Sequence, residues 1–381
     1  MNSQTFTTVI KAVLKVLLII ICTAFVLLCI VLMMFRPHAG ESILRANDVG
    51  ILDGLDYFVF DSVSEAEYAA REVKKRFWLN EDAPKAPVPN QDLYGTSSDP
   101  TSLQWLLDDA QTLLEGQQTL FTTETPLIPG TEATYYLDET IFAVTWKQAF
   151  HRTCYTITEI KISDPSQFRR YLEDPVFDGK KLSTTTKMAR NVNAVVGTSA
   201  DHYRGRKAGI AVYQGEDKRV HNLKRIDVCY VDNNGDLHFT YRGQIPDIEA
   251  AQKFVDEHNI DFSLSFGPIL IDDGKRCEPA SYTLGEGNDH YARAALCQMG
   301  PLHYVVVVAN SEGRNAHSPT IHEFAATLDT FGCQKAYTLD GGNSGAIVMN
   351  GKLINKQPFE YERAQGDIIY FCTAIPDNIN S

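Results

Sequence analysis

The sequence predicts an α+β fold: a mixed β-sheet domain with interspersed helices, preceded by a membrane-spanning helix and a partly helical stalk. Three observations predict it. From about residue 131 onward the chain runs as short, alternating or β-branched apolar stretches separated by turn residues. Helical patterns interrupt these stretches without alternating regularly with them, which favours α+β over a wound α/β sheet. One stretch near the amino terminus is apolar for the full width of a bilayer. Composition agrees with a globular body, at 44% apolar and 22% charged residues in a chain of 381. The 48 acidic against 35 basic side chains give a net charge of −13, the wrong sign for a protein that coats nucleic acid.

The apolar run is 16–35, twenty residues in which only Thr23 is polar. At ~1.5 Å per residue it reaches ~30 Å, the thickness of the hydrocarbon core. It exceeds the ~7–15 residues of a cleaved signal peptide, and Arg36 and Pro37 follow it. Lys11 and Lys15 precede it, so the basic bias sets the amino terminus in the cytoplasm and residues 37–381 outside. The expected divisions are 1–36 (tail and signal anchor), 37–130 (stalk) and 131–381 (main domain).

In the stalk, Ser64 to Glu67 is a capping box opening a helix to about Trp78. The proline-rich 83–90 reads as an extended linker. A second helix is expected over 101–114, ended by Gly116. Beyond it, strands are expected at 135–146 and 153–162, then a short helix capped by Asp164 with Pro165 in its first turn. Further strands are expected at 191–199, 208–213, 225–231 and 237–242, with Asn233-Asn234-Gly235 as a hairpin turn. A helix over 246–258 carries Ile248, Ala251, Phe254 and Val255 on one stripe. Strands 293–298 and 303–309 flank a turn, and Ser318-Pro319 opens a helix that ends before Gly332. A strand at 335–339 stops at Asp340, and 346–349 and 352–354 form a hairpin around Asn350-Gly351.

Six cysteines lie beyond the apolar run, enough for three disulfides in 15 possible connectivities, though buried free thiols explain them more simply. Several other patterns carry little chemistry. Asp232 to Asp236 resembles a calcium loop with its glycine too early, and reads as a hairpin. His317 and His322, five apart, do not share a helix face and read as solvated or capping groups. Lys180-Lys181 and Lys224-Arg225 read as solvated pairs. Gly285-Glu286-Gly287 lacks the lysine and hydroxyl of a phosphate loop.

The sharpest local signal is 336–345. A strand delivers Asp340 to its carboxyl end, Gly341 and Gly342 permit close backbone approach, and Ser344 adds a hydroxyl. Such an assembly suits a sugar or a phosphate, although Asp-Gly-Gly is equally a plain turn. Arg293 opens a strand among alanines, where a guanidinium is either paired or aimed at an anion. Asp201-His202-Tyr203 follows a strand end, where a structural aspartate fits as well as a functional one.

Taken together, 199–203, 265–275, 292–308, 322–355 and 366–371 resemble, in order, segments of the phosphodiester glycosidase family, over roughly 131–381. The resemblance implies hydrolysis of a sugar-1-phosphodiester at the sugar C1–oxygen bond. It carries over the positions Asp201, Arg293, Asp340, Gly341, Gly342 and Ser344 without fixing their roles; on chemical grounds Asp340 and Asp201 are expected as the catalytic acids and Arg293, Gly341, Gly342, Ser344, His202 and Ser199 as substrate contacts, with no cofactor specified. The implied partner is a phosphate-linked surface or exopolysaccharide glycan, met by a domain anchored through 16–35. Departures from the family pattern are Ser199-Ala200 where Asn-Gly is common, Ala292-Arg293-Ala294 where Pro-Arg-Thr is common, Thr338 where Asn is common, and no Asp-Gly-Arg after the strand at 303–309. They leave a second expectation open: a non-catalytic binder of the same glycans.

Overall fold

Period-two burial dictates the sheets, and caps dictate where the chain turns. The computed structural model describes residues 85–205, 207–277, 289–310 and 317–375. The apolar run at 16–35, the helix expected at 64–78 and most of the linker lie outside these residues. Among those described, no helix is long and apolar enough to cross a membrane.

A nine-stranded sheet forms the centre. Its first strands are β1 (Tyr94–Ser97), β2 (Ala133–Leu137), β3 (Ile141–Phe150) and β4 (Thr153–Ile162), each paired to the next. The single strand expected at 135–146 is two. Asp138 accepts the N–H groups of Thr140 at 2.7 Å and Ile141 at 3.0 Å, and this side-chain-closed turn reverses the chain. Every residue of β4 is buried, as a central strand covered on both faces requires.

The five-stranded sheet is ordered β18-β17-β6-β19-β5. It comprises β5 (Phe168–Leu172), β6 (Val196–Ser199), β17 (Ile347–Met349), β18 (Lys352–Leu353) and β19 (Asp367–Phe371). Two smaller sheets pair β7 (Gly209–Tyr213) with β8 (Glu216–His221), and β9 (Val228–Asp232) with β10 (Leu237–Thr240) and β11 (Ile260–Leu264). The central sheet is completed by β12 (Ile269–Asp272), β13 (Lys275–Arg276), β14 (Arg293–Gly300), β15 (His303–Asn310) and β16 (Lys335–Leu339), in the order β4-β15-β14-β16-β12-β13.

Every described strand pairing is antiparallel, so the sheet is not the mixed one expected. The helices are few and short, whereas parallel pairing needs long crossovers, usually helical. A helix at Thr185–Asn191, capped by Thr184, occupies the start of the strand expected at 191–199. The other helices fall close to expectation, at Ile248–Glu257 and Ile321–Asp329, capped by Asp247 and Thr320. Asp232 closes its hairpin by accepting the N–H groups of Asn234 and Asp236 at 2.8 and 2.9 Å, as the hairpin reading requires. The cysteines beyond the apolar run are free thiols, and all but Cys277 are buried.

Two cores sandwich the central sheet. On one face Leu106, Leu107, Leu114 and Phe121 pack with Phe324 and Leu328 against Val144, Ile157 and Val307. On the other, Ile160, Val306 and Leu339 meet Val196, Ile347, Ile369 and Phe371 of the five-stranded sheet and Val231 and Phe262 of the β9–β11 sheet. Residues 94–130, placed in the stalk by their sequence, thus supply an edge strand and a share of the core.

One buried ion fixes that segment. Glu159, fully buried on β4, accepts the N–H groups of Leu120 and Phe121 at 2.7 Å each, and its Oε1 lies 2.8 Å from His303 Nε2. Removing one member strands the others in the interior. Glu159→Ala should therefore cost about 3–5 kcal/mol, read as a drop in the urea midpoint at unchanged denaturant slope; a midpoint unchanged from wild type would refute this account.

Candidate active site

The site lies where strand ends from the central and five-stranded sheets meet. Strand β16 ends at Leu339 and hands over Asp340, while β6 ends at Ser199 and hands over Asp201. Backbone and side chain stitch the two ends together. The Asp340 N–H donates to Ala200 O at 2.9 Å, and the Ser199 hydroxyl donates to Asp340 O at 3.0 Å. Ser199, expected to touch substrate, is wholly buried and serves this junction.

The glycines act by proximity. A Cβ on Gly341 would stand 2.4 Å from Ala292 O and 3.2 Å from Arg293 Cα, so only glycine fits against the start of β14. Gly342 sits at φ +55°, in the left-handed region. Its N–H donates to Ala292 O at 2.8 Å, and the N–H groups of Ser344 and Gly345 donate to Gly341 O at 3.0 and 3.1 Å. The Gly342 donor thus fastens the loop to β14. The loop brings Arg293 beside Asp340, since their positions lie one step beyond the Ala294↔Leu339 pair.

Asp340 and Arg293 are both largely buried. His202 Nδ1 lies 3.7 Å from Asp340 Oδ2. Arg293 Nη2 donates to Asp289 O at 2.8 Å, and its guanidinium lies 6.0 Å from the Tyr291 ring centre. Asp201 behaves differently. Its Oδ1 accepts from Tyr203 N–H at 2.8 Å and Arg170 Nη2 at 3.0 Å, and its Oδ2 accepts from Ser265 N–H at 2.7 Å. Both oxygens are committed to the protein, so this acid is placed to hold the site together.

Two residues that sequence reasoning missed complete the cluster. Arg170 Nε and Nη2 donate to Asp367 Oδ2 at 2.8 and 2.6 Å, and Nη1 donates to Ser263 O. The signal was the alternation in β5, where Phe168, Arg170 and Leu172 face inward. Asp367 opens β19, a strand apolar after its first residue.

One guanidinium thus serves two carboxylates, with a third, Asp340, near enough to act on Asp367. Burial alone disfavours the Arg170 charge, but Asp201 and Asp367 outweigh it and raise its pKa. Burial pushes the Asp367 carboxyl up to about 8, helped by Asp201 and Asp340 and opposed by Arg170. Asp367 Oδ1, the Ser344 hydroxyl and the Tyr203 hydroxyl are buried and make no hydrogen bond among the described residues. Tyr203 stacks under Arg170 at 5.3 Å. Close by, Arg219, Lys207 and Arg204 lie around Asp178, an exposed residue whose carboxyl partial desolvation raises against the pull of those cations. A cleft of about 770 Å³ touches this cluster through Arg170 and is otherwise lined by residues such as Arg169, Tyr213 and Asp261; the proposed site residues are not among them.

Thr338, where relatives often carry Asn, donates its hydroxyl to Pro268 O at 3.0 Å, a structural contact. The segment 311–316, which should hold the missing Asp-Gly-Arg, lies outside the described residues.

Comparison with known proteins gives one family and one fold. Residues 189–372 match the family model described as phosphodiester glycosidase. Among solved structures, a hypothetical protein from Synechocystis superposes with a TM-score of 0.50 at 14% identity, over 65% of this chain and 64% of that one. The catalytic domain of zebrafish N-acetylglucosamine-1-phosphodiester alpha-N-acetylglucosaminidase, auto-inhibited by its pro-peptide, gives 0.46 at 14% identity over 81% and 99%. A putative exported protein from Burkholderia pseudomallei gives 0.41 at 14% over 58% and 74%. No curated protein matches.

The Asp367 shift sets a pH dependence. Between the unfolded value near ~3.9 and the folded value of about 8, the folded state holds the extra proton. That stabilisation is full at low pH and is lost as pH rises through the folded value. Asp367→Asn should flatten this fall. Urea midpoints at pH 5 and pH 8 should diverge less in the variant than in the wild type; equal divergence would place the titration elsewhere.

Proposed function

We propose, from the match of residues 189–372 to the phosphodiester glycosidase family model, that the protein hydrolyses a sugar-1-phosphodiester, breaking the bond between sugar C1 and the bridging oxygen. The observation that carries the reading is the meeting of Asp340, His202 and Arg293 at joined strand ends, near buried Ser344, Tyr203 and Asp367 oxygens that make no hydrogen bond among the described residues. Such atoms call for a polar occupant.

The chemistry assigns a role to each group. Arg293 matches a phosphodiester oxygen in charge and in donor geometry. The departing group, a phosphate monoester, is already a fair leaving group, so little general-acid help is required. As the C1–oxygen bond stretches, positive charge builds near C1. Asp340 supplies the facing negative charge and takes the proton of the attacking water. His202 orients that carboxylate. The water oxygen ends on C1, and the bridging oxygen leaves with the phosphate. Asp201, saturated by Arg170, Tyr203 and Ser265, keeps the floor of the site in register.

The setting we propose is the outer face of a membrane. The run 16–35 is a single-pass anchor with a cytoplasmic amino terminus, and the substrate is a phosphate-linked surface or exopolysaccharide glycan. The length of the run and the lysines before it support this. One observation favours the alternative, a non-catalytic glycan binder: the Gly342 amide and both Asp201 oxygens are already bonded within the chain.

Incubation with a sugar-1-phosphodiester and analysis of the released sugar separate the two. Asp340→Ala should lower turnover by ~10²–10⁴-fold, and Arg293→Ala should raise KM by about 10–100-fold through loss of a charge-assisted bond. Turnover unchanged in both Asp340→Ala and Asp201→Ala would remove the hydrolase assignment. Saturable glycan binding without product would establish the binder.

A further inference from the structure

Away from the acid cluster, the segment entering β14 meets the start of the helix Ile321–Asp329. We propose that His290, His317 and Glu323 form a site there for a divalent transition metal, Zn²⁺ by its donor set. A ring nitrogen of each histidine and a carboxylate oxygen lie within 4.8 Å of one another. Two imidazoles and a carboxylate are a recurrent Zn²⁺ set that leaves a fourth position for water. Mg²⁺ and Ca²⁺ prefer all-oxygen sites.

Each ligand is held by a bond that leaves metal-binding capacity intact. A carbonyl only accepts, so the 2.8 Å contact between His290 Nδ1 and Ser318 O places the proton on Nδ1; that nitrogen also lies 3.8 Å from Glu323 Oε2, and a turn of the exposed ring presents the Nε2 lone pair. A backbone carbonyl on the far ring nitrogen is the usual support of a metal-bound histidine. His317 is fixed through its backbone: its N–H donates to Arg152 O at 3.2 Å, and Thr153 Oγ1 donates to its carbonyl at 2.8 Å. The two rings meet edge to face, with centres 5.3 Å apart. Glu323 is held by the capping box, its Oε2 accepting the Thr320 N–H at 2.8 Å. His290 and Glu323 are open to solvent, which gives an ion its route in. Ligand atoms around tetrahedral Zn²⁺ stand ~3.3 Å apart at the usual bond lengths, so these exposed side chains close inward on loading.

The site has a structural consequence for its neighbour. Tyr291 N–H donates to Pro319 O at 3.2 Å, and Arg293 Nη2 donates to Asp289 O at 2.8 Å. A metal bridging His290 to Glu323 clamps the segment that orients the Arg293 guanidinium. The metal assignment stands independently of the reaction at Asp340.

Calorimetric titration of the untagged full chain with ZnCl₂ tests it. One Zn²⁺ per chain is expected, and His290→Gln and His317→Gln should each weaken it by at least about tenfold. His322→Gln, on the same helix, should leave the affinity unchanged. Co²⁺ in the same chain should give visible bands without thiolate charge transfer, which excludes the eight cysteines as ligands. Thermal melts check that the variants are folded. Absence of saturable Zn²⁺ binding in the wild type, or equal affinity in both folded histidine variants, overturns the proposal.

Discussion

A single buried guanidinium organises the site. Arg170 reaches from β5 to Asp367 at the start of β19, to Asp201 just past β6 and to the Ser263 carbonyl of β11. An isolated cation could not remain charged there, because the cost of leaving water exceeds what the interior returns. Two carboxylates make it tolerable, and in return their positions are set to within a hydrogen bond. With Asp340 adjacent, negative groups outnumber positive ones, so one acid keeps its proton more readily than in water. The cluster tunes local protonation as well as geometry.

The secondary structure was legible wherever local rules prevailed. Strands 153–162 and 335–339 fall at their expected ends because alternation and turn residues bound them. Asn350 and Gly351, both at positive φ, turn their hairpin as their residue types demand. Legibility failed where a side chain overrode the pattern: Asp138 broke one long strand, and the helix capped by Thr184 runs on to Asn191, the first residue of another expected strand. Pairing direction was hidden too, since it depends on connections that no local pattern records.

Site residues divide along the same line. Asp340, Arg293 and the glycines stand in a local motif, and the structure brings them together. Arg170 and Asp367 lie 197 positions apart, joined only by folding. Arg170 was concealed because one of two adjacent arginines ordinarily reads as solvated, although the alternation with Phe168 and Leu172 puts it on the inward face. The roles of Ser199 and Gly342 were equally beyond reach: both are bonded inward, and only coordinates reveal which donors remain for a ligand.

The strand Tyr94–Ser97 has a bearing on how the protein could be dissected. It covers the outer rim of β2, and the helical turns after it roof one core. A shortened form beginning at residue 131 would bare a row of unpaired peptide groups and an apolar floor together, the two features that most encourage chains to stick to one another. The natural margin of the folded body therefore lies upstream of Tyr94, well before the family-matching segment that begins at residue 189.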